Sequence, residues 1–199
     1  MEPGTEQTLG YYNKNATGFV ESTVDVEFGE LQERFARMLP EGGRILDLGC
    51  GSGRDSLAFM SSGFVVDAVD GSESMVRAAS ELTGLPVAHA LFDEHEPAGE
   101  YDGIWACSSL LHVPMSDLTP IIGKYTDYLK PGGVFYMSFK LGGFEGMRDG
   151  RWFTDLDEES FSELISRIDG LRIDSLDITS DVRPGRANEK WLNAWCVRE

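Results

Sequence analysis

The sequence predicts a doubly wound α/β fold, a seven-stranded sheet that is mostly parallel and ends in a C-terminal antiparallel hairpin. Three observations carry that prediction. Short apolar runs alternate with stretches of helical period along most of the chain; a glycine-rich turn follows the first run; and the last two strand-like runs have no helix between them.

Residues Met1 to Thr8 are polar with a Pro-Gly pair and are expected to be loose. Leu31, Phe35, Met38 and Leu39 then form one stripe of an amphipathic helix, which Pro40 and Gly42-Gly43 stop. Arg44 to Leu48 reads as a strand running into Gly49-Cys50-Gly51-Ser52-Gly53, followed by a helix from Asp55 to Met60 closed by Gly63. Phe64 to Asp70 is the second strand. Ser72 caps the next helix, which carries Met75, Val76, Ala79 and Leu82 and ends at Gly84. Pro86 to Leu91 is the third strand, and Gly103 to Cys107 the fourth, apolar throughout as a central parallel strand should be. A helix bearing Leu118, Ile121, Ile122, Tyr125 and Leu129 stops at Lys130-Pro131-Gly132-Gly133, and Val134 to Phe139 is the fifth strand. One more helix carries Phe161, Leu164, Ile165 and Ile168; Leu171 to Thr179 and Trp191 to Val197 pair as the hairpin.

The 199 residues correspond to a single domain, since about 100 to 200 residues per domain is usual. Within it, residues 1–40 form an N-terminal lid and helix, 41–139 the ligand-binding core, and 140–199 the loops over the ligand and the terminal hairpin. A hydrophobic share of 41% excludes disorder of the bulk. The net charge of −17 disfavours nucleic-acid and anionic-membrane partners, which need basic surface. No run approaches about 18 apolar residues, and Met1 to Tyr12 has neither a basic stretch nor an apolar one of the kind a secretory leader carries, so the chain is expected to be cytoplasmic. Cys50, Cys107 and Cys196 are odd in number, lack a C-x-x-C pair, and read as reduced thiols without a metal.

The first strand–helix turn is where an open α/β sheet binds ligands. Glycines at 49, 51 and 53 remove Cβ atoms and permit positive φ, so the backbone approaches a ligand closely. Asp70, 23 residues beyond Asp47 and ending the second strand, offers a carboxylate to a ribose diol. The spacing is G-x-G-x-G and not the dinucleotide G-x-G-x-x-G. Asp47 would repel a pyrophosphate and attract an ammonium group. S-adenosylmethionine carries that ammonium, with a sulfonium, a ribose and an adenine.

From Gly42 to Phe139 the chain resembles the class I S-adenosylmethionine-dependent methyltransferases, whose fold is Rossmann-like. Asp47 to Gly53 looks like their first motif, Asp70 their ribose acid, and Lys130 to Gly133 the turn before their fifth strand. The resemblance implies that Gly71, Ser72 and Met75 flank the adenosine, Phe92 and Asp93 the adenine, and Ala106, Cys107 and Ser108 the methionine part. Tyr11 to Ala16, Trp152-Phe153-Thr154 and Arg183-Pro184-Gly185-Arg186 resemble a small-molecule subgroup of tellurite-resistance type.

Methyl transfer from a sulfonium is an in-line displacement that chiefly needs alignment of atoms about 3 to 3.5 Å apart. A base is needed only where the acceptor must lose a proton, and His112, after the fourth strand, is the histidine placed for it, although it could equally position the cofactor. Nine of the seventeen basic residues lie from Lys140 onward. Lys140, Arg148, Arg151, Arg183 and Arg186 fall in segments over the cofactor, which suggests a small anionic acceptor. Salt bridging to Glu145, Asp149, Asp181 and Glu189 is the competing account. Tyr11, Tyr12, Phe19, Trp152 and Trp191 either wall the pocket or pack the core, with the two tyrosines ahead of the first helix as a closing lid. Three rival functions stay open at this point: a non-catalytic S-adenosylmethionine-binding module, a nucleic-acid methyltransferase and an oxidoreductase. A metalloid-oxyanion acceptor is a further alternative.

Overall fold

The computed structural model describes residues 3–23, 29–183, 185–186 and 188–199. Met1, Glu2 and Pro184, which enter the expectations above, lie outside the described residues.

Helix α1 (Pro3–Thr23), kinked at Asn15, precedes α2 (Gly29–Met38). The core then alternates β1 (Arg44–Leu48), α3 (Arg54–Ser61), β2 (Val65–Asp70), α4 (Glu73–Thr83), β3 (Ala88–His89), β4 (Tyr101–Ala106), α5 (Met115–Asp127) and β5 (Leu129–Lys140). After it come β6 (Glu145–Arg148), β7 (Arg151–Thr154), α6 (Glu158–Ile165), β8 (Leu171–Ser180) and β9 (Lys190–Arg198). Seven strands form one sheet in the order β3-β2-β1-β4-β5-β9-β8. The first five are parallel; β9 runs antiparallel to both β5 and β8. This is the doubly wound, mostly parallel sheet with a terminal hairpin that the alternation predicts.

Both faces are covered, as parallel strands require. Leu46 and Leu48 point into the larger apolar cluster with Ile104, Phe135, Met137 and Phe161. Ile45 points the other way, into a cluster with Phe35, Phe59, Trp105, Tyr136 and Trp195. Trp105 and Tyr136 stack there with centroids 4.0 Å apart, and the Trp105 indole donates to Asp55 at 2.8 Å. Successive residues of β1 alternate faces with period two, so Asp47 shares the side of Ile45, where Ser56 and Asp55 neighbour it. Among the described residues no helix is long and apolar enough to cross a membrane.

Three expectations are corrected. The N-terminus is not loose from residue 3 to residue 8, because Thr8 is buried and Tyr11 and Tyr12 sit inside α1 rather than ahead of the first helix. The third strand is only Ala88–His89, since just two of its residues find partners on β2. The segment after β5 is a hairpin, β6 on β7, turned by Asp149 and Gly150 at φ 50° and 78°. Two central residues with positive φ are what a two-residue hairpin turn uses.

Candidate active site

The carboxyl ends of the parallel strands open on a cavity of about 910 Å³. Its floor is the β1–α3 turn. Gly49, Gly51 and Gly53 all have positive φ, and a Cβ on Gly49 would stand 2.4 Å from that of Ser109. Only glycine lets the turn pass that close. Asp47, 2% exposed, takes a hydrogen bond from the Ser56 hydroxyl at 2.6 Å on one oxygen and none on the other among the described residues. Burial raises its pKa above the usual carboxylate range, and the neighbouring Asp55 adds to the rise. At the end of β2, Asp70 accepts the Gly51 and Ser72 N–H groups at 2.9 and 2.8 Å. Those bonds aim its carboxylate while burial still raises its pKa.

Most of the expected cofactor residues face this cavity: Tyr12, Asp47, Gly49, Cys50, Gly51, Ser52, Asp70, Gly71, Met75, Phe92, Asp93, Cys107 and Ser108. Three do not. Gly53 caps α3 and its Cβ position abuts Ala79; Ser72 is buried as the N-cap of α4; Ala106 is sealed inside β4. Ser108, at φ 54°, is held in that uncommon conformation by its N–H bond to the Ser138 hydroxyl at 2.8 Å. Burial pushes the Cys107 thiol up to about 12 and raises Cys50 as well, so both stay protonated.

The roof is built from α1, the β6–β7 hairpin and the β8–β9 connection. Tyr12 donates its hydroxyl to His112 at 2.8 Å, Thr8 accepts the Trp152 N–H at 2.8 Å, and the Asn13 side chain accepts from Ser72 and Ser74. Phe19 comes 3.7 Å from where a Gly51 Cβ would be. Lys140, Arg151, Arg183, Arg186, His112 and Trp191 also line the cavity. Arg148 and Trp152 do not. The Arg148 guanidinium is forked onto Asp155 by two 2.9 Å bonds, and the Trp152 ring turns to Gly4 and Thr154. Arg183 is likewise forked onto Asp181, while Lys140 and Arg186 share Glu189. Arg151 has no carboxylate partner among the described residues; it stacks over Tyr11 at 4.4 Å, and its buried Nε has no acceptor.

Sequence reasoning missed Thr8, Leu91, Ser138 and Asn193, all on the cavity wall. Ser138 and Asn193 had a usable signal, since each interrupts an otherwise apolar strand. Thr8 and Leu91 had none.

The donor set fits S-adenosylmethionine: two carboxylates at neighbouring strand ends for an ammonium and a ribose diol, a glycine turn between them, and Met75, Leu91 and Phe92 for a flat base. The chain matches the methyltransferase-domain family over residues 22–174. It is 36% identical over 110 residues to a ubiquinone biosynthesis O-methyltransferase of Xanthomonas axonopodis pv. citri, covering 52% of this chain and 45% of that protein. A namesake from Paramagnetospirillum magneticum is 34% identical over 137 residues, covering 66% of this chain and 53% of the other. The chain thus spans about half the length of these curated relatives. Among solved structures, the Burkholderia thailandensis 1,6-didemethyltoxoflavin-N1-methyltransferase superposes with a TM-score of 0.77 at 17% identity, covering 100% of this chain and 91% of that one. The Synechocystis magnesium protoporphyrin IX methyltransferase gives 0.71 at 17% identity, covering 96% and 97%. Fold, glycine turn and family match converge: this chain belongs to the class I S-adenosylmethionine-dependent methyltransferases.

Proposed function

We propose that the protein methylates a small acceptor that bears a hydroxyl and an anionic group. The observation that carries this reading is Arg151, a cation of the cavity wall with no carboxylate partner among the described residues. A planar guanidinium offers paired donors that match a carboxylate or phosphate. Names of the relatives, O-methyltransferases of ubiquinone biosynthesis, support oxygen as the atom methylated. The aromatic wall of Tyr12, Phe19, Phe153 and Trp191 suits a flat ring.

In this reading Asp47 takes the ammonium and Asp70 the ribose, with Tyr12, Gly49, Cys50, Gly51, Ser52, Gly71, Met75, Phe92, Asp93, Cys107 and Ser108 completing the cradle. Gly53, Ser72 and Ala106 hold its frame from behind. Bound S-adenosylmethionine supplies a methyl group on a sulfonium that departs as a neutral thioether, so the chain's own work is alignment and exclusion of water. Arg151 anchors the acceptor. Arg183 is paired by Asp181, while Lys140 and Arg186 share the single carboxylate of Glu189, so these three shape the rim with their guanidinium and ammonium groups already engaged.

Calorimetry with S-adenosylhomocysteine tests the cofactor half of the reading, and no heat at any concentration would end it. For the acceptor, methyl release measured over phenolic carboxylates, phosphates and uncharged phenols should favour the anionic compounds. Arg151→Ala should then raise the acceptor KM about tenfold or more and leave the cofactor KM unchanged, whereas Arg148→Ala should spare both.

A further inference from the structure

The roof and floor of the cavity meet in a hydrogen-bond chain that cradling a cofactor does not require. The Trp152 carbonyl can only accept, so the His112 Nδ1 2.6 Å away carries the ring proton. The other nitrogen, Nε2, is then a lone pair, and the Tyr12 hydroxyl donates to it at 2.8 Å. The direction is therefore fixed, from Tyr12 to His112 to Trp152. Having given its one proton away, the Tyr12 oxygen keeps acceptor capacity, and it lines the cavity. Arg151 Nη1 already donates one long hydrogen bond to it, at 3.5 Å, which leaves a second lone pair facing the cavity.

The groups that face His112 are Tyr12 from α1 and Arg148 and Arg151 from the β6–β7 hairpin; Tyr11, Asp70, Arg151 and Arg183 face Tyr12. Burial, joined by the two guanidiniums, pushes His112 down to about 4, against the Trp152 bond that favours the imidazolium. Arg148 is already neutralised by Asp155. Arg151 has no carboxylate partner among the described residues, so its positive charge weighs directly on the imidazole.

We propose that Arg151 gates a proton-accepting pair: Tyr12 takes the proton of the acceptor hydroxyl while passing its own to His112 Nε2, and an oxyanion of the same acceptor, docked on Arg151, lets His112 keep it. This rests on the methyltransferase reading above and names the proton path within it. The acceptor O–H bond breaks as the Tyr12 hydroxyl is renewed, and the acceptor oxygen gains a methyl group in place of its proton. The electron pair of the broken sulfur–carbon bond stays on sulfur. The released proton resides on His112 until it returns to water. Only an acceptor carrying the anion neutralises Arg151, so a hydroxyl compound lacking it, or water, meets a weaker base.

Nitrogen-15 spectra of the histidine side chains in the full chain test this directly. The comparison uses wild type and Arg151→Gln, with and without benzoate as the oxyanion probe. Wild-type His112 is expected in the Nδ1–H form with a midpoint well below that of an ordinary histidine. Arg151→Gln should raise that midpoint by about one pH unit. Saturating benzoate should raise it in wild type and not in the variant. An Nε2–H form, or a wild-type midpoint that benzoate leaves in place, overturns the gate. Neither readout needs turnover or bound cofactor, so a failure here is distinct from a failure to bind S-adenosylhomocysteine.

Discussion

Asp47 is buried beside a second carboxylate, Asp55, and among the described residues Ser56 alone donates to it. Burial and the Asp55 charge raise its pKa to about 8, which favours the protonated form at neutral pH when no cation faces it. An ammonium partner prefers the ionised form, so binding of S-adenosylhomocysteine should release a proton and weaken as pH falls below that value. Calorimetry in buffers of differing ionisation enthalpy reads the proton count; no release at pH 7 would remove Asp47 from the cradle. At this scale the sequence was informative where backbone freedom or strand ends fix a residue, as at Gly49, Gly51 and Asp70. It was not informative for the basic residues. Arg148, Arg151, Arg183 and Arg186 look alike in sequence, and which of them lacks a carboxylate among the described residues is decided by Asp155, Asp181 and Glu189 reaching the other three across turns.

Among the elements, those with an apolar period were legible and those docked by polar contacts were not. Helices α2, α4 and α5 announce themselves by apolar residues at helical spacing, and Ser72 and Gly84 bound α4 as caps should. Helix α1 has no such stripe. It is pinned by Thr8, Tyr12 and Asn13 to residues about sixty to one hundred and forty positions away, a pattern invisible locally. The β6–β7 hairpin was readable from Asp149-Gly150, the pair that a tight turn with two positive φ values favours, but its strands are four residues each. Since Asn13 ties α1 to the start of α4, Asn13→Ala should speed amide exchange along α1 several-fold and weaken cofactor retention. Thermal unfolding should move little. Unchanged exchange in α1 would show that Tyr12 and Thr8 hold the helix alone.

For the molecule as a whole, the net charge of −17 on 199 residues is a standing self-repulsion. Moderate salt screens it, so Tm should climb between roughly 0.01 and 0.2 M sodium chloride as the screening length falls from about 30 to under 10 Å. A flat or falling Tm would mean that pairs such as Lys130–Asp102 and Arg44–Asp67 outweigh the excess. The order of the sheet has another consequence. Strand β9 lies between β5 and β8 yet is synthesised after both, so on the ribosome the long edge of β5 waits bare until residues 190–198 emerge. An unpaired apolar edge of that length is adhesive. The nascent chain therefore passes through a stage in which chaperone capture competes with self-association, and mutations that slow docking of β9 will be felt first in yield from the cell.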